Sequence, residues 1–381
     1  MKILNYIRQL KKSFSNHHPL IEVLIYKKNL LYNLRAFQKN FPRHKIAPVL
    51  KSNAYGHGLV PVAKILDRQN IAFFVVDSLF EARVLRNEGI KSPILIIGYT
   101  RAEDINRNNL KNVSFTITTL EQLEAISKTL NAPQKLHLKI DTGMHRQGIL
   151  PEKFDKAIAL IKKNGDIILE GICSHLASAD NPDKSYALGQ IKVWHKAVKL
   201  FKTTFPQLKY FHIAATAGSY YSPRITANII RSGIGLYGIN TSPFSKIKFK
   251  PVLETKTTIS GIKNIKKGEY VGYGLTYQAK KNIKIAIIPA GYFEGTDRRL
   301  GNIGYYKIKG HDCPLVGRIS MNISLADITN HSDIKVGDQV TLISSDPRDK
   351  NCAQNMAKLC NTIPYEMLIH VPQHLRRTVK N

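Results

Sequence analysis

The chain has 381 residues, 43% of them hydrophobic, and a formal net charge of +30 at pH 7. That length allows two domains, or one large α/β domain with an appendage, and no apolar run approaches the ~18 residues of a membrane-spanning helix. Four cysteines without paired metal-ligand spacing or scaffold density exclude a structural zinc site and a disulfide framework and suit a reducing cytoplasm. The lysines are scattered over the whole chain, and no zinc finger, RNP motif or long basic tract accompanies them. The charge therefore reads as a solvated lysine-rich surface, not as a nucleic-acid interface.

Residues 1–19 place Met1, Leu4, Ile7, Leu10 and Phe14 at helical spacing among Lys2, Arg8, Lys11 and Lys12, which predicts a basic amphipathic extension. It lacks the continuous apolar core and small-residue cleavage site of a secretory signal. Its two readings are a docked or frayed extension and a helix resting on a membrane surface.

Eight short apolar runs follow: "IAPVLK" (46–51), "IAFFVV" (71–76), "PILIIG" (93–98), "VSFTIT" (113–118), "LHLKI" (136–140), "ILEGICSH" (168–175), "KYFHIA" (209–214) and "ANIIRSG" (227–233). Helical stretches lie between them, with Ser78 and Thr119 as caps and Pro151 and Gly165 as a start and a stop. Apolar strands alternating with helices imply a parallel sheet covered on both faces. Eight repeats over roughly 200 residues favour a closed (β/α)8 TIM-type barrel, and no glycine-rich dinucleotide fingerprint follows the first strand. After about residue 245 the texture becomes turn-punctuated and β-rich, which predicts a second, mainly antiparallel β domain.

In such a barrel the chemistry lies at the carboxyl ends of the strands. The polar residues there are Lys51, Arg146 in "DTGMHRQG", His175, Thr216 in "AATAGS" and Arg231. A lysine in a barrel mouth can be desolvated so that its neutral amine acts as nucleophile or base, whereas a lone His175 is more often a satisfied core residue and Arg231 could simply pair with a carboxylate. Thr216 with Gly218, Gly233 and Gly235 follows the seventh and eighth strands, where backbone N–H groups commonly hold a phosphate. A lysine facing a phosphate cradle suggests a phosphorylated carbonyl cofactor.

Taken together and in order, "VLKSNAYGHG", "KIDTGMHRQG", "SHLASAD", "RSGIGLYG", "VGYGLTYQA", "IPAGYFEG" and "VGRISMN" resemble the motifs of the bacterial alanine racemase family, from about residue 20 to 378. The resemblance implies a fold-type III enzyme, its barrel at 28–245 and its β domain made of 20–27 plus 246–381. It also implies pyridoxal 5'-phosphate as cofactor, a small amino-acid substrate, and a cytoplasmic homodimer with its active sites at the subunit interface. The activity implied is interconversion of L-alanine and D-alanine for peptidoglycan synthesis.

Residue by residue, Lys51 matches the lysine that carries the cofactor and serves as base on one face of the substrate α-carbon. Tyr273, from the partner subunit, serves on the opposite face; two bases on opposite sides move the proton without turning the substrate over. His175 neighbours that tyrosine, and Arg231 faces the pyridine nitrogen. Tyr55, Thr216, Gly233 and Ile234 match phosphate contacts. Arg146 matches the arginine that meets the substrate carboxylate, and Met321 offers its backbone N–H to the same group. Lys139 matches a lysine that is carbamylated in some members and then orients that arginine. Tyr292, Arg298 and Arg318 fall near the substrate entryway.

Some positions depart from the pattern. Asn322 follows Met321 where the family has aspartate, Glu294 stands for another aspartate, and Val379 lies close to the place of a tyrosine. The rival readings are a broader-specificity racemase, a decarboxylase of the same architecture, and a catalytically weakened homologue that binds the cofactor or a polyanion.

Overall fold

The computed structural model describes residues 19–381; apart from Pro19, the basic extension expected over 1–19 lies outside the described residues. Two compact units emerge. One holds residues 19–24, Glu254–Ser344 and His374–Thr378; the other holds Ile25–Leu253, Ser345–Gln373 and Val379–Asn381. Among the described residues, no helix is long and apolar enough to cross a membrane.

Strand β1 (Glu22–Tyr26) joins the six-stranded sheet of the first unit, and the next eight strands build the second. They are β2 (Lys45–Pro48), β3 (Phe74–Val76), β4 (Ile94–Ile96), β5 (Val113–Ile117), β6 (Gln134–Lys139), β7 (Ile167–Cys173), β8 (Tyr210–His212) and β9 (Ile229–Ser232). Strands β3 to β8 are parallel neighbours in chain order, and β2 lies parallel to β9. A bridge between Val49 and Val75 joins β2 to β3. Arg231 N–H donating to Ala214 O (3.1 Å) and Asn228 N–H donating to Phe211 O (3.0 Å) join β9 to β8. The ring is thereby closed into the expected (β/α)8 barrel.

Local chemistry explains the helices around it. Ser78 Oγ accepts from Glu81 N–H and Thr119 Oγ1 from Gln122 N–H, satisfying first-turn donors that a helix leaves orphaned. Pro151 opens a 3-10 turn, Pro151–Lys153, that runs into the helix Phe154–Lys163. The longest helix, Ser185–Thr204, buries Trp194, whose Nε1–H donates to Thr226 O (3.0 Å). Burial of each large apolar side chain between helices and barrel contributes about 1.5–3 kcal/mol.

The barrel interior is polar where most barrels of this kind are aliphatic. Because strand side chains alternate, β6 sends His137 and Lys139 to the same side, and His137, His212, Thr116 and Arg231 are all buried. The first unit is antiparallel where its pairs are registered. Its six-stranded sheet orders His311–Pro314, Tyr305–Ile308, Gln339–Ile343, Leu253–Thr258, β1 and Arg377–Lys380. A three-stranded sheet of Gly261–Ile265, Ile283–Ile288 and Ser324–Asp327 packs Ile283 and Ile285 with Val271, Ala279 and Val316.

Candidate active site

The strand that leads to Lys51 ends at Pro48, earlier than the apolar run 46–51 suggests, and the chain then makes an unusual turn. Ser52, Asn53, Ala54 and Tyr55 all have φ between 53° and 55°. Four consecutive non-glycine residues are thus left-handed, each at a cost of about 1–2 kcal/mol. The surroundings hold them there. Ala54 N–H donates to Leu50 O (2.7 Å) and Gly58 N–H to Asn53 O (2.9 Å). The Asn53 side chain accepts from Leu59 N–H (2.9 Å), and the Asn53 backbone N–H donates to Glu81 Oε1 (3.3 Å). His57 Nδ1–H donates to the carbonyls of Tyr55 (2.9 Å) and Ala54 (3.1 Å).

Gly56 completes the turn with φ +80°, and a Cβ there would lie 1.9 Å from Leu368 O. Glycine is required on both counts, conformation and close approach. Strain of this kind persists only where neighbours over-determine it, and it collects at functional sites.

The turn presents Lys51 and Tyr55 to a cavity of about 800 Å³ in the barrel unit. Lys139, Arg146, His175, Thr216, Arg231, Gly233 and Ile234, the remaining barrel residues expected in the site, line the same cavity. Four cations (Lys51, Lys139, Arg146, Arg231) face two carboxylates (Asp77, Asp180), so the lining has an excess of positive charge that favours an anionic occupant.

Arg231 is buried and spends its donors on the barrel wall. Nη1 donates to His212 O (2.8 Å) and Nη2 to Ser174 O (2.7 Å), with His175 Nδ1 at 3.2 Å from Nη2. Burial, then Arg231, pushes His175 well below the usual histidine range. Its ring is therefore neutral, accepts at Nδ1 and carries its proton on Nε2. Burial also brings the Lys139 amine down to about 8; Cys173 opposes that shift, while Arg231 and Arg146 add to it. The Tyr55 hydroxyl is pushed up by burial and by Tyr365, against the pull of Arg231, and stays a neutral donor.

A phosphate-sized cradle is visible at the end of β9. The Tyr55 hydroxyl sits where a Cβ on Gly233 would come within 2.7 Å of it, so only glycine permits the approach. Gly235 N–H donates to Thr216 Oγ1 (3.1 Å). The backbone N–H groups of Gly233 and Ile234 are buried and donate to no other described residue. Buried amides without acceptors are rare, and paired ones at a cavity wall form an anion nest.

The family models for "Alanine racemase, N-terminal domain" and "Alanine racemase, C-terminal domain" match residues 25–241 and 252–379. The chain belongs to the alanine racemase family. It is 33% identical to alanine racemase from Methylacidiphilum infernorum, over 96% of this chain and 94% of the other. With the Clostridium tetani alanine racemase it shares 35% identity over 91% and 92%. Among solved structures it resembles alanine racemase from Clostridium difficile 630 (TM-score 0.88, 32% identity, 96% of this chain and 97% of that one). It equally resembles the Bacillus anthracis alanine racemase with bound L-Ala-P (TM-score 0.88, 29% identity, 96% of each chain).

The other expected site residues, Tyr273, Met321 and Asn322, belong to the β unit. Tyr273 is 70% exposed and Met321 56% exposed. Asn322 Nδ2 donates to Glu294 Oε1 (2.7 Å), and Glu294 Oε2 accepts from Gly291 N–H (2.8 Å). The two departures from the family pattern are therefore partners: the amide at 322 donates where an aspartate would repel Glu294.

Sequence reasoning missed two groups of alanine racemase residues in this chain. Tyr365, in the helix Pro364–Ile369, lines the cavity and lies 5.8 Å from the Tyr55 ring, centroid to centroid. Its only local signal is the proline that opens its helix. The second group is the buried pair His137 and His212 beneath Arg231.

Proposed function

We propose that this chain is an alanine racemase that holds pyridoxal 5'-phosphate in the barrel cavity and works as a homodimer. The observation that carries the reading is one cavity lined by both Lys51 and the acceptor-less amides of Gly233 and Ile234. An amine beside an anion nest suits a phosphorylated aldehyde.

Gly233 and Ile234 would bind the phosphate through their N–H groups, with the Tyr55 and Thr216 hydroxyls beside them. Arg231 would meet the ring nitrogen as a donor that does not give up its proton. When bound, the cofactor draws electrons away from the substrate α-carbon and makes its proton removable.

The chain's own groups would do the rest. Lys51 would hold the cofactor through its amine and, once the substrate amine has displaced it, would take or return the α-proton on one face. Tyr273 of the partner subunit does the same on the other face, with neutral His175 as its neighbour. Arg146 binds the substrate carboxylate, and the Met321 N–H of the partner subunit meets the same group. Asn322 keeps that loop polar without adding charge. Lys139 lies beside Arg146 and, with its amine brought down to about 8, has a neutral fraction able to add carbon dioxide and become the anion that orients Arg146.

The test is to load the protein with pyridoxal phosphate, offer each alanine enantiomer separately, and follow the ratio by chiral chromatography. The expected result is convergence to a 1:1 mixture from both sides. Failure to convert either enantiomer, with conversion of another amino acid, would overturn the substrate assignment.

A further inference from the structure

Arg231 is fixed in turn by a buried pair of histidines, and the hydrogen bonds between them permit only one arrangement of protons. Arg231 Nη1 lies 2.6 Å from His212 Nδ1, and His212 Nε2 lies 2.8 Å from His137 Nδ1. A guanidinium only donates. His212 Nδ1 must therefore accept, which puts the proton of that ring on Nε2. His212 Nε2–H then donates to His137 Nδ1, which must accept as well, so His137 carries its own proton on Nε2.

The fold makes room for this column. In the β6–β7 register, which shifts between Leu136 and His137, His137 faces Gly171. A Cβ on Gly171 would lie 2.9 Å from His137 Nδ1 and 2.7 Å from Tyr210 O. The His137 ring stacks on Tyr210 (5.5 Å, 16°) and meets Phe73 edge-on (5.8 Å, 82°), so it cannot turn to offer its other nitrogen. Below it a cavity of about 50 Å³ is shared with Ser114, Lys135, Glu170 and Tyr210, where Lys135 pairs with Glu170 (3.1 Å). The charges nearest the pair are thus Arg231 and Lys139 above and the Lys135–Glu170 ion pair below.

We propose that His137 is a positioning residue for the racemase: by accepting from His212 it locks that ring in the tautomer that receives Arg231, and so holds the guanidinium at the cavity floor. The kinetic consequence rests on the function proposed above; the tautomer assignment does not. Both rings remain neutral: burial, then Arg231, holds His137 at about 3 and His212 well below the usual histidine range. A second proton on either ring would set two donors against each other across 2.8 Å.

The test uses the full-length protein labelled with 15N in histidine, with and without pyridoxal phosphate. Long-range 1H–15N correlation spectra distinguish the two tautomers and the imidazolium. The expected signals are neutral, Nε2-protonated rings for His137 and His212 that do not titrate where an ordinary histidine would. An Nδ1-protonated His212, or titration of either ring in that range, would overturn the proposal, whether or not the protein racemises alanine.

Two variants supply the kinetic arm. His137→Leu removes the acceptor, whereas His137→Asn keeps a carbonyl oxygen near the Nδ1 position. The leucine variant is expected to lose roughly tenfold in kcat with KM within about twofold, and the asparagine variant to recover most of that loss. Equal behaviour of the two folded variants would contradict the positioning role. If His137→Leu does not fold, the wild-type spectra together with an Asn variant as slow as roughly a tenth of wild type would decide against it.

Discussion

The two units handle their functional side chains in opposite ways. In the barrel unit every expected residue lines one cavity, and several are fixed from behind: Lys51 by a strained turn, Arg231 by five main-chain and ring acceptors, Tyr55 by Gly233 and Tyr365. In the β unit Tyr273, Leu275, Met321 and Phe293 stand more than half exposed. The barrel unit carries a lined cavity, whereas the β unit displays exposed aromatic and apolar groups. In the proposed homodimer the exposed groups of one copy would complete the cavity of the other.

The largest expected effect separates the two halves by kind of failure. Lys51→Ala should abolish the visible absorbance of covalently held cofactor and lower racemisation by roughly four orders of magnitude or more. Tyr273→Phe should keep that absorbance and still lose most activity. Loss of the absorbance in the tyrosine variant would blur the comparison.

Next in size is the turn. Gly56→Ala meets both a left-handed φ and Leu368 O at 1.9 Å, and should destabilise the protein by about 4 kcal/mol. Gly89→Ala, at φ +81° but in open space, should cost only about 1 kcal/mol. Denaturant midpoints of the two variants check the contrast; equal shifts would mean that the close approach does not matter.

Lys139 gives a pH signature. Its folded pKa, about 8, lies below the ordinary lysine value of about 10.4, so between those values the unfolded chain binds a proton that the native one lacks. Stability should therefore rise with pH across that window, by up to about 3 kcal/mol, in bicarbonate-free buffer. Lys139→Met should flatten the rise in thermal-melt profiles, and an unchanged slope would contradict the burial argument.

The smallest effect belongs to the β unit. Asn322→Asp would put a second carboxylate beside Glu294, costing about 1 kcal/mol at this exposed position. Glu294→Gln should recover it, and additive losses in the double variant would show that the two residues do not interact.

Much of this was legible in the sequence where the signal is local. Apolar runs and capping residues announced the eight strands and several helix starts, because the strand pattern and the Ser78 and Thr119 caps act within a few residues. Lys51 was exposed by its place at a strand end, and the motifs named the family. The left-handed turn was not legible, since Ser52 to Tyr55 adopt it against their own preference and, besides the local contact with His57, are held by Glu81 and the helix at 364–369, both distant in sequence. His137 and His212 look like any core histidines until the barrel brings them together across 75 residues. Tyr365 is far in sequence from the barrel strands it joins. Asn322 and Glu294 read as two independent departures, and only their contact makes them one compensated pair.

The most direct test of the shared site is subunit complementation. Lys51→Ala and Tyr273→Phe chains, each expected to lose most activity alone, are unfolded together, refolded and assayed with L-alanine in the presence of pyridoxal phosphate. If Lys51 works with Tyr273 of the partner subunit, each mixed dimer carries one intact site, and the mixture should recover about a quarter of wild-type activity under random pairing. Activity no greater than the sum of the two separate variants would contradict the shared site.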